Sequence, residues 1–179
     1  MIKQIKNRLK YDWYVKIKKM DGMEYRIMQM RRRGIKIGEN CKIYTKISAR
    51  EASLISIGDR TTLSSNVEFC THDNAISKAI PGKTDLMGRI TIGSDCFIGM
   101  NSILIYGVTL GDNCIVGAGA VVTKSFPAGS VIAGNPARRI CSIEEYAQKY
   151  QNQAYNYESI PMSERAVFFD AHPELMVKK

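Results

Sequence analysis

Histidine is the scarcest proton-transfer side chain in these 179 residues, and it occurs twice. His72 stands in Phe69-Cys-Thr-His-Asp-Asn74, and His172 in Asp170-Ala-His-Pro-Glu174. A free imidazole titrates near ~6.5, so it can take and return a proton around neutral pH. Removing the proton of an attacking hydroxyl, whose own pKa lies far above neutrality, is a task suited to it. Asp73 and Asp85 are the carboxylates near His72 in sequence. Either one orients the imidazole and stabilises its charged form, or it is a loop residue with a solvated charge. His172 reads as a tail residue. Lys124, Arg138 and Arg139 gather toward the end of the patterned region. Guanidinium and ammonium groups suit phosphate oxygens, and the plain alternative is solvated surface. The five cysteines, Cys41, Cys70, Cys96, Cys114 and Cys141, stand singly with no CxxC pair. That spacing argues against a disulfide framework or a zinc knuckle. They are read as buried structural thiols, which disfavours a covalent thioester on the protein. No serine has a nucleophile-elbow context.

These residues sit on a repeat. Aliphatic side chains recur every sixth position at Ile92, Ile98, Leu104, Leu110, Val116 and Val122. Four residues after each come Cys96, Ser102, Val108, Cys114, Ala120 and Phe126, and four of the six are followed directly by glycine. The same phasing appears earlier in Ile57, Leu63 and Phe69 with Thr61 and Val67, and in Ile37 and Ile43 with Cys41 and Ile47. A period of six is neither the 3.6 of a helix nor the simple 2 of a strand. It fits short straight segments joined at corners, three to a coil of eighteen residues. The aliphatic residue and the small one four later both point inward, because an even offset keeps them on one face of a strand. Stacked coils then pair edge to edge as parallel strands and bury one another. Glycine after the aliphatic suits a corner with positive φ or a closely approaching backbone.

Two breaks interrupt the phase. Segment 75–89, AISKAIPGKTDLMGR, is polar and unpatterned and is expected as a loop thrown out of the coil. A smaller break at 50–54 is expected as an irregular corner. The ends read as helical. Asp21 and Glu24 form an N-cap with Gly34 as the stop, and Ser142 and Glu145 open a helix to about Gln151 with a capping box. A further helix is expected through Glu164–Phe169.

The stretch IGSDCFIGMNSILIYGVTLGDNCIVGAGAVVTKSFPAGSVIAGNPARRI resembles the left-handed β-helix, hexapeptide-repeat acyltransferases, and is most similar to the galactoside/maltose and capsular-polysaccharide O-acetyltransferases. The resemblance covers about residues 35–141. Its most specific part is the ending GAGAVVTKS…VIAGNPARR. It implies an all-β fold, a left-handed parallel β-helix with short N-terminal and C-terminal helices. The segments are 1–34, basic N-terminal helices; 35–141, the catalytic β-helix with extruded loop 75–89; and 142–179, a helical tail.

The resemblance further implies acetyl-CoA as co-substrate, no metal, and direct transfer to a sugar or glycan hydroxyl with His72 as general base. Met100, Ala118, Thr123, Lys124 and Arg138 occupy cofactor-contact positions of that family. Two departures stand out. Cys141 stands where a second arginine is frequent, so either Arg139 substitutes for it or the 3′-phosphate is held loosely, and Phe97 stands where the family has a tryptophan at the site. A homotrimer with active sites between subunits is also implied, with loop 75–89 reaching a neighbour. An amino-sugar N-acetyltransferase on the same fold and a non-catalytic β-helix scaffold stay open as alternatives. Carbonic anhydrases of this fold need three histidine zinc ligands, and two histidines do not supply them.

Charge is unevenly placed. Residues 1–33 hold eleven Lys or Arg against three acidic residues, and the rest of the chain is nearly balanced. With no basic groove in the body, no nucleic-acid partner is expected. Ile2, Ile5, Leu9, Trp13 and Ile17 fall on one helical face. This stripe either packs on the body or lies on an anionic membrane, giving peripheral contact through residues 1–20. With no signal-peptide pattern and no run long enough to span a bilayer, the expected location is cytoplasmic, at the inner face of the membrane if the helix binds lipid.

Overall fold

The computed structural model describes residues 2–17 and 19–177. Helix α1 (Ile2–Asp12) runs into one π-helical turn at Trp13–Ile17. Helix α2 (Gly22–Arg32) follows, with Asp21 at its N-cap accepting from the backbone of Met23 and Glu24. Gly34, at φ +100°, takes the left-handed conformation beyond its end.

The coil then begins with β1 (Lys36–Ile37) and β2 (Lys42–Ile43). Its second turn is β3 (Ile55–Ile57), β4 (Thr62–Leu63) and β5 (Glu68–Cys70). The chain then leaves the coil through β6 (His72–Asp73) and returns through β7 (Leu86–Met87), which pair antiparallel with each other. The third turn is β8 (Ile90–Ile92), β9 (Phe97–Ile98) and β10 (Ile103–Ile105). The fourth is β11 (Thr109–Leu110), β12 (Ile115–Val116) and β13 (Val121–Val122). Strand β14 (Ser130–Ala133) closes the coil, and β15 (Arg138–Ser142) folds back antiparallel on it. Helices α3 (Ile143–Tyr150), with both bonds of its capping box, and α4 (Arg165–Ala171) complete the tail.

Three parallel walls result. The first is β1, β3, β8 and β11; the second is β2, β4, β9, β12 and β14, with β15 appended; the third is β5, β10 and β13. Where the pattern is unbroken, each residue pairs with the one eighteen positions on, as in Thr91 with Thr109, Phe97 with Ile115 and Ile103 with Val121. Every aliphatic of the six-residue phase is buried, and so is every partner four positions later. The strand-rich parallel coil expected from the spacing is therefore present, with helices at both ends.

The small inward residue needs more than small size. Cys41 donates to the carbonyl of Gly58, Thr61 to that of Gly93, Cys96 to that of Gly111 and Cys114 to that of Pro127, each in a neighbouring coil. Ser102 reaches Gly99 O at 2.6 Å. A short side chain with a donor satisfies corner carbonyls that the short strands leave free. Cys70 and Cys141 lie off this phase and are only half-buried, which corrects the expectation that all five thiols are core.

The repeat glycines serve close approach, not left-handed φ. A Cβ on Gly93 would lie 2.4 Å from Asp112 Oδ1 and 2.7 Å from its backbone nitrogen. Positive φ falls instead on the residue just before the inward small one: Asn40, Arg60, Asn66, Asp95, Asn101 and Asn113.

The N-terminal region corrects another expectation. Ile5 and Leu9 are 53% and 64% exposed, so the aliphatic stripe of α1 does not pack on the body. Ile2 and Ile17 of that stripe lie outside the described side chains. Contact with the body runs through tyrosines: the Tyr11 and Tyr14 rings lie 5.2 and 5.3 Å from that of Tyr25 on α2. Gly93→Ala should cost about 1–3 kcal/mol, because backbone blocks the new methyl, and Leu104→Ala about 2–5 kcal/mol from the cavity it leaves. Urea unfolding of the variants beside wild type measures both.

Candidate active site

His72 sits on β6, where the chain leaves the third wall. Its Nδ1 lies 2.8 Å from Oε2 of Glu51, and Thr71 Oγ1 donates to the same oxygen at 2.8 Å. Glu51 stands at the start of the 3-10 turn Ala52–Leu54, the irregular corner of the preceding coil. In this stretch β1 and β3 partners are twenty residues apart, as Lys36 and Ser56, where the regular coil has eighteen. The two surplus residues leave the wall at this corner and carry Glu51 toward the next coil.

The hydroxyl of Thr71 holds the Glu51 carboxyl below the usual carboxylate range; burial pushes the other way, and the His72 hydrogen bond adds a further lowering. An ionised carboxylate only accepts, so the imidazole donates through Nδ1–H. The neutral ring then presents Nε2 with a free lone pair. His72 is half-buried and open to solvent on one side.

Asp73 and Asp85, the carboxylates singled out beside His72, take other partners. Asp73 Oδ1 caps the following 3-10 turn by accepting from Ala75 N at 2.8 Å, and its Oδ2 accepts from Tyr106 Oη at 3.3 Å. Asp85 Oδ1 lies 3.4 Å from Asn74 Nδ2. The hydrogen bond to His72 that Asp73 or Asp85 could have made is made by Glu51 instead, and both aspartates take the loop role, Asp73 because its N-cap geometry turns its carboxylate toward the excursion. A sequence signal for Glu51 existed in the break at 50–54, an acidic residue at an irregular corner one coil before a histidine. His172 pairs with Glu174 at 3.1 Å on the tail helix.

The excursion beyond His72 is a compact hairpin. Asn74 Nδ2 donates to Thr84 O at 2.6 Å, and His72 and Asp73 pair with Met87 and Leu86. Ile80, Leu86 and Met87 on it are exposed.

The residues expected at a cofactor divide between two edges of the third wall. Met100 and Ala118 lie at the edge where the chain enters that wall, with Gly119 N donating to Met100 O at 2.8 Å. Arg138 follows on the same edge, since Ala137 N donates to Val121 O at 2.8 Å. Here Phe97, Met100, Ile115, Ala118 and Tyr146 line an apolar trough of about 620 Å³. Thr123 and Lys124 lie at the opposite edge, on the side of His72, with Lys124 Nζ 5.6 Å from the Phe126 ring. Arg139 is exposed, opposite Ile132 on the antiparallel exit. The expected single cluster of Lys124, Arg138 and Arg139 is therefore split by the width of a wall.

Burial pushes the thiols of Cys41 and Cys70 up, away from the reactive thiolate, and for Cys96 the neighbouring Cys114 thiol does so ahead of burial. Among the described residues, no group of three or more His, Cys, Asp or Glu side chains is placed to hold a metal ion. No helix among them is long and apolar enough to cross a membrane.

A family model for the hexapeptide repeat of succinyl-transferase matches residues 89–124. Protein CapG of Staphylococcus aureus is 38% identical over 146 residues, covering 78% of this chain and 84% of CapG. The chain belongs to the hexapeptide-repeat acyltransferases. Acyl transfer is the activity that goes with this membership. Within the family, the galactoside O-acetyltransferase of Escherichia coli is 31% identical over 126 residues, 70% of this chain and 62% of that enzyme. A maltose O-acetyltransferase from Clostridium difficile superposes with a TM-score of 0.54 at 30% identity, over 61% of this chain and 59% of the other. The chain thus spans about three-fifths of the length of these two enzymes.

Glu51 has a folded pKa below its unfolded value. Its contribution to stability is therefore present above the unfolded value and is lost as pH falls through the folded one. Thr71→Val should raise the Glu51 pKa, because it removes the larger of the two hydrogen bonds to the carboxylate. An NMR titration of the side-chain carboxyl in both proteins measures the shift.

Proposed function

We propose that this chain transfers an acetyl group from acetyl-CoA to a hydroxyl of a sugar or polysaccharide precursor, with His72 as general base. The His72–Glu51 pair carries this reading. Glu51 fixes the ring by its Nδ1 side and leaves Nε2 to face the acceptor. Nε2 takes the hydroxyl proton while the oxygen attacks the thioester carbon. The tetrahedral intermediate then collapses, and the departing CoA sulfur takes the proton from the imidazolium. Glu51 stabilises the imidazolium in between, and a backbone N–H would serve the oxyanion. The acceptor class rests on the relatives: CapG by its similarity over most of both chains, and the galactoside and maltose enzymes by their named substrates.

The coil winds left-handed in this reading, as in the family, and three copies assemble side by side. That arrangement would set the edge with Thr123 and Lys124 of one copy against the edge with Met100, Ala118 and Arg138 of the next. The apolar trough suits the pantetheine arm, with Ala118 letting it lie flat, while Arg138, Lys124 and Arg139 serve the phosphates. The hairpin after His72 would close over the acceptor, its exposed Leu86 and Met87 meeting the neighbour.

His72→Ala should lower turnover by roughly 10² to 10⁴ with little change in acetyl-CoA affinity. Glu51→Gln should lower kcat more than it alters KM and should move the pH profile, since the ring loses its anionic partner. Arg138→Ala should weaken binding of CoA more than that of dephospho-CoA. Thiol release with acetyl-CoA and a panel of sugars, nucleotide-sugars and amines measures these effects. Release with amines alone would move the reading to N-acetylation, and undiminished turnover in His72→Ala would remove the proposed base.

A further inference from the structure

Helix α1 touches α2 through Tyr11, on the side away from Leu9, and the π-helical turn that follows adds Tyr14. Tyr11 packs edge-on against Tyr25, and Arg32 Nη2 on α2 donates to Tyr14 Oη at 3.2 Å. At 3.6 residues per turn, Tyr11 lies roughly 160° around the axis from Leu9. Ile5 and Leu9, four residues apart, share the outward face and are exposed by 53% and 64%, while Trp13, opening the π-helical turn with its ring edge-on to Tyr14 at 4.9 Å, is 44% exposed. Lys6 and Lys10 follow the two aliphatics by one residue and flank the stripe on one side, and Arg8 flanks it on the other. All three basic side chains are exposed. Asp12, the one acidic residue of the helix, is engaged by Lys16 at 3.2 Å. The arginines of α2 are used differently: Arg26, Arg31 and Arg33 donate to carbonyls of the first coil. Outward positive charge on α1 borders its apolar stripe, beside further exposed cations such as Arg32 on α2 and Lys36 and Lys42 on the first coil.

An apolar stripe between rows of long cationic side chains matches the headgroup boundary of an anionic bilayer. The stripe enters the acyl region while lysine and arginine stems reach back to the lipid phosphates. A protein partner would need a ready-made hydrophobic groove rimmed by acid, whereas an anionic membrane presents both features everywhere. We propose that α1 docks the protein on an anionic membrane surface, Ile5, Leu9 and Trp13 entering the interface and Lys6, Arg8 and Lys10 meeting lipid phosphates. The tyrosine contacts to α2 link the docked helix to the coil.

The test is sedimentation of the full chain with phosphatidylcholine vesicles and with vesicles of phosphatidylcholine mixed with phosphatidylglycerol, at low and high salt. Trp13 is the single tryptophan of the chain, so its emission reports insertion directly. Binding is expected with the mixed vesicles alone, with a blue shift of Trp13 emission and weakening by salt. Leu9→Glu, and separately Lys6→Glu with Lys10→Glu, should each weaken binding about tenfold or more. Both should leave acetyl transfer to a soluble acceptor and the circular dichroism of the protein unchanged, which keeps failure here distinct from failure of the acetyltransfer reading. Absence of binding to mixed vesicles at low salt overturns the proposal. So does equal binding by wild type and Leu9→Glu, and so does a loss of oligomer in Leu9→Glu without vesicle binding, which would assign the stripe to a second copy of this chain.

Discussion

Vertical hydrogen bonding between stacked coils governs this structure. The coil strands β1 to β13 are two or three residues long, and none could stand by itself. Their backbone groups find partners only in the coil above or below. Residues eighteen apart must therefore coincide, and any surplus has to leave the wall at a corner. This happens twice. Two extra residues leave at Glu51, and a longer hairpin leaves just after His72, where β3 and β8 partners such as Ser56 and Thr91 are thirty-five residues apart. The departures occur in successive turns, and Glu51 and His72 meet between them. The meeting of Glu51 and His72 is a by-product of where a strict repeat is broken.

The unbroken part of the repeat was readable in the residues alone. Ile92 to Val122 and their partners from Cys96 to Phe126 are buried as their spacing requires, since a period of six leaves an inward residue no other side of the wall. The caps at Asp21 and Ser142 were readable for a similar reason, because the bonds they make are local in sequence. What escaped depended on distance along the chain. Glu51 lies twenty-one residues from His72, and only the coil geometry makes them neighbours. Asp73 and Asp85 were the carboxylates close in sequence, yet Asp73, adjacent on the strand, points to the opposite face from His72. The division of Met100, Ala118 and Arg138 from Thr123 and Lys124 was hidden likewise, because sequence order runs around the prism while function runs along its edges.

The distribution of roles between wall and departure suits acyl transfer. The walls are rigid, and their outer faces offer an apolar bed beside Ala118 and Met100 on which a long flexible thiol carrier can be held straight. The departures carry His72, Glu51 and the exposed hairpin after Asp73. That hairpin can change without disturbing a paired strand of the coil, whereas a changed wall residue disturbs the coils on either side of it. The buried thiols belong to the walls. They are donors to corner carbonyls.

The two ends of the coil are finished in unlike ways, and this limits how copies can associate. At one end the guanidinium groups of Arg26, Arg31 and Arg33 occupy the carbonyls of Ile43, Ile37, Gly38, Ile47 and Ala49. At the other, β15 reverses direction and covers β14. A stack of parallel rungs with raw ends is a template for endless end-to-end growth, in which each molecule would extend its neighbour's ladder. Here one terminus is plugged by charge and the other by a strand of the wrong polarity. Filaments are thereby closed off, and sideways contact between flanks is the mode of assembly left open to the coil.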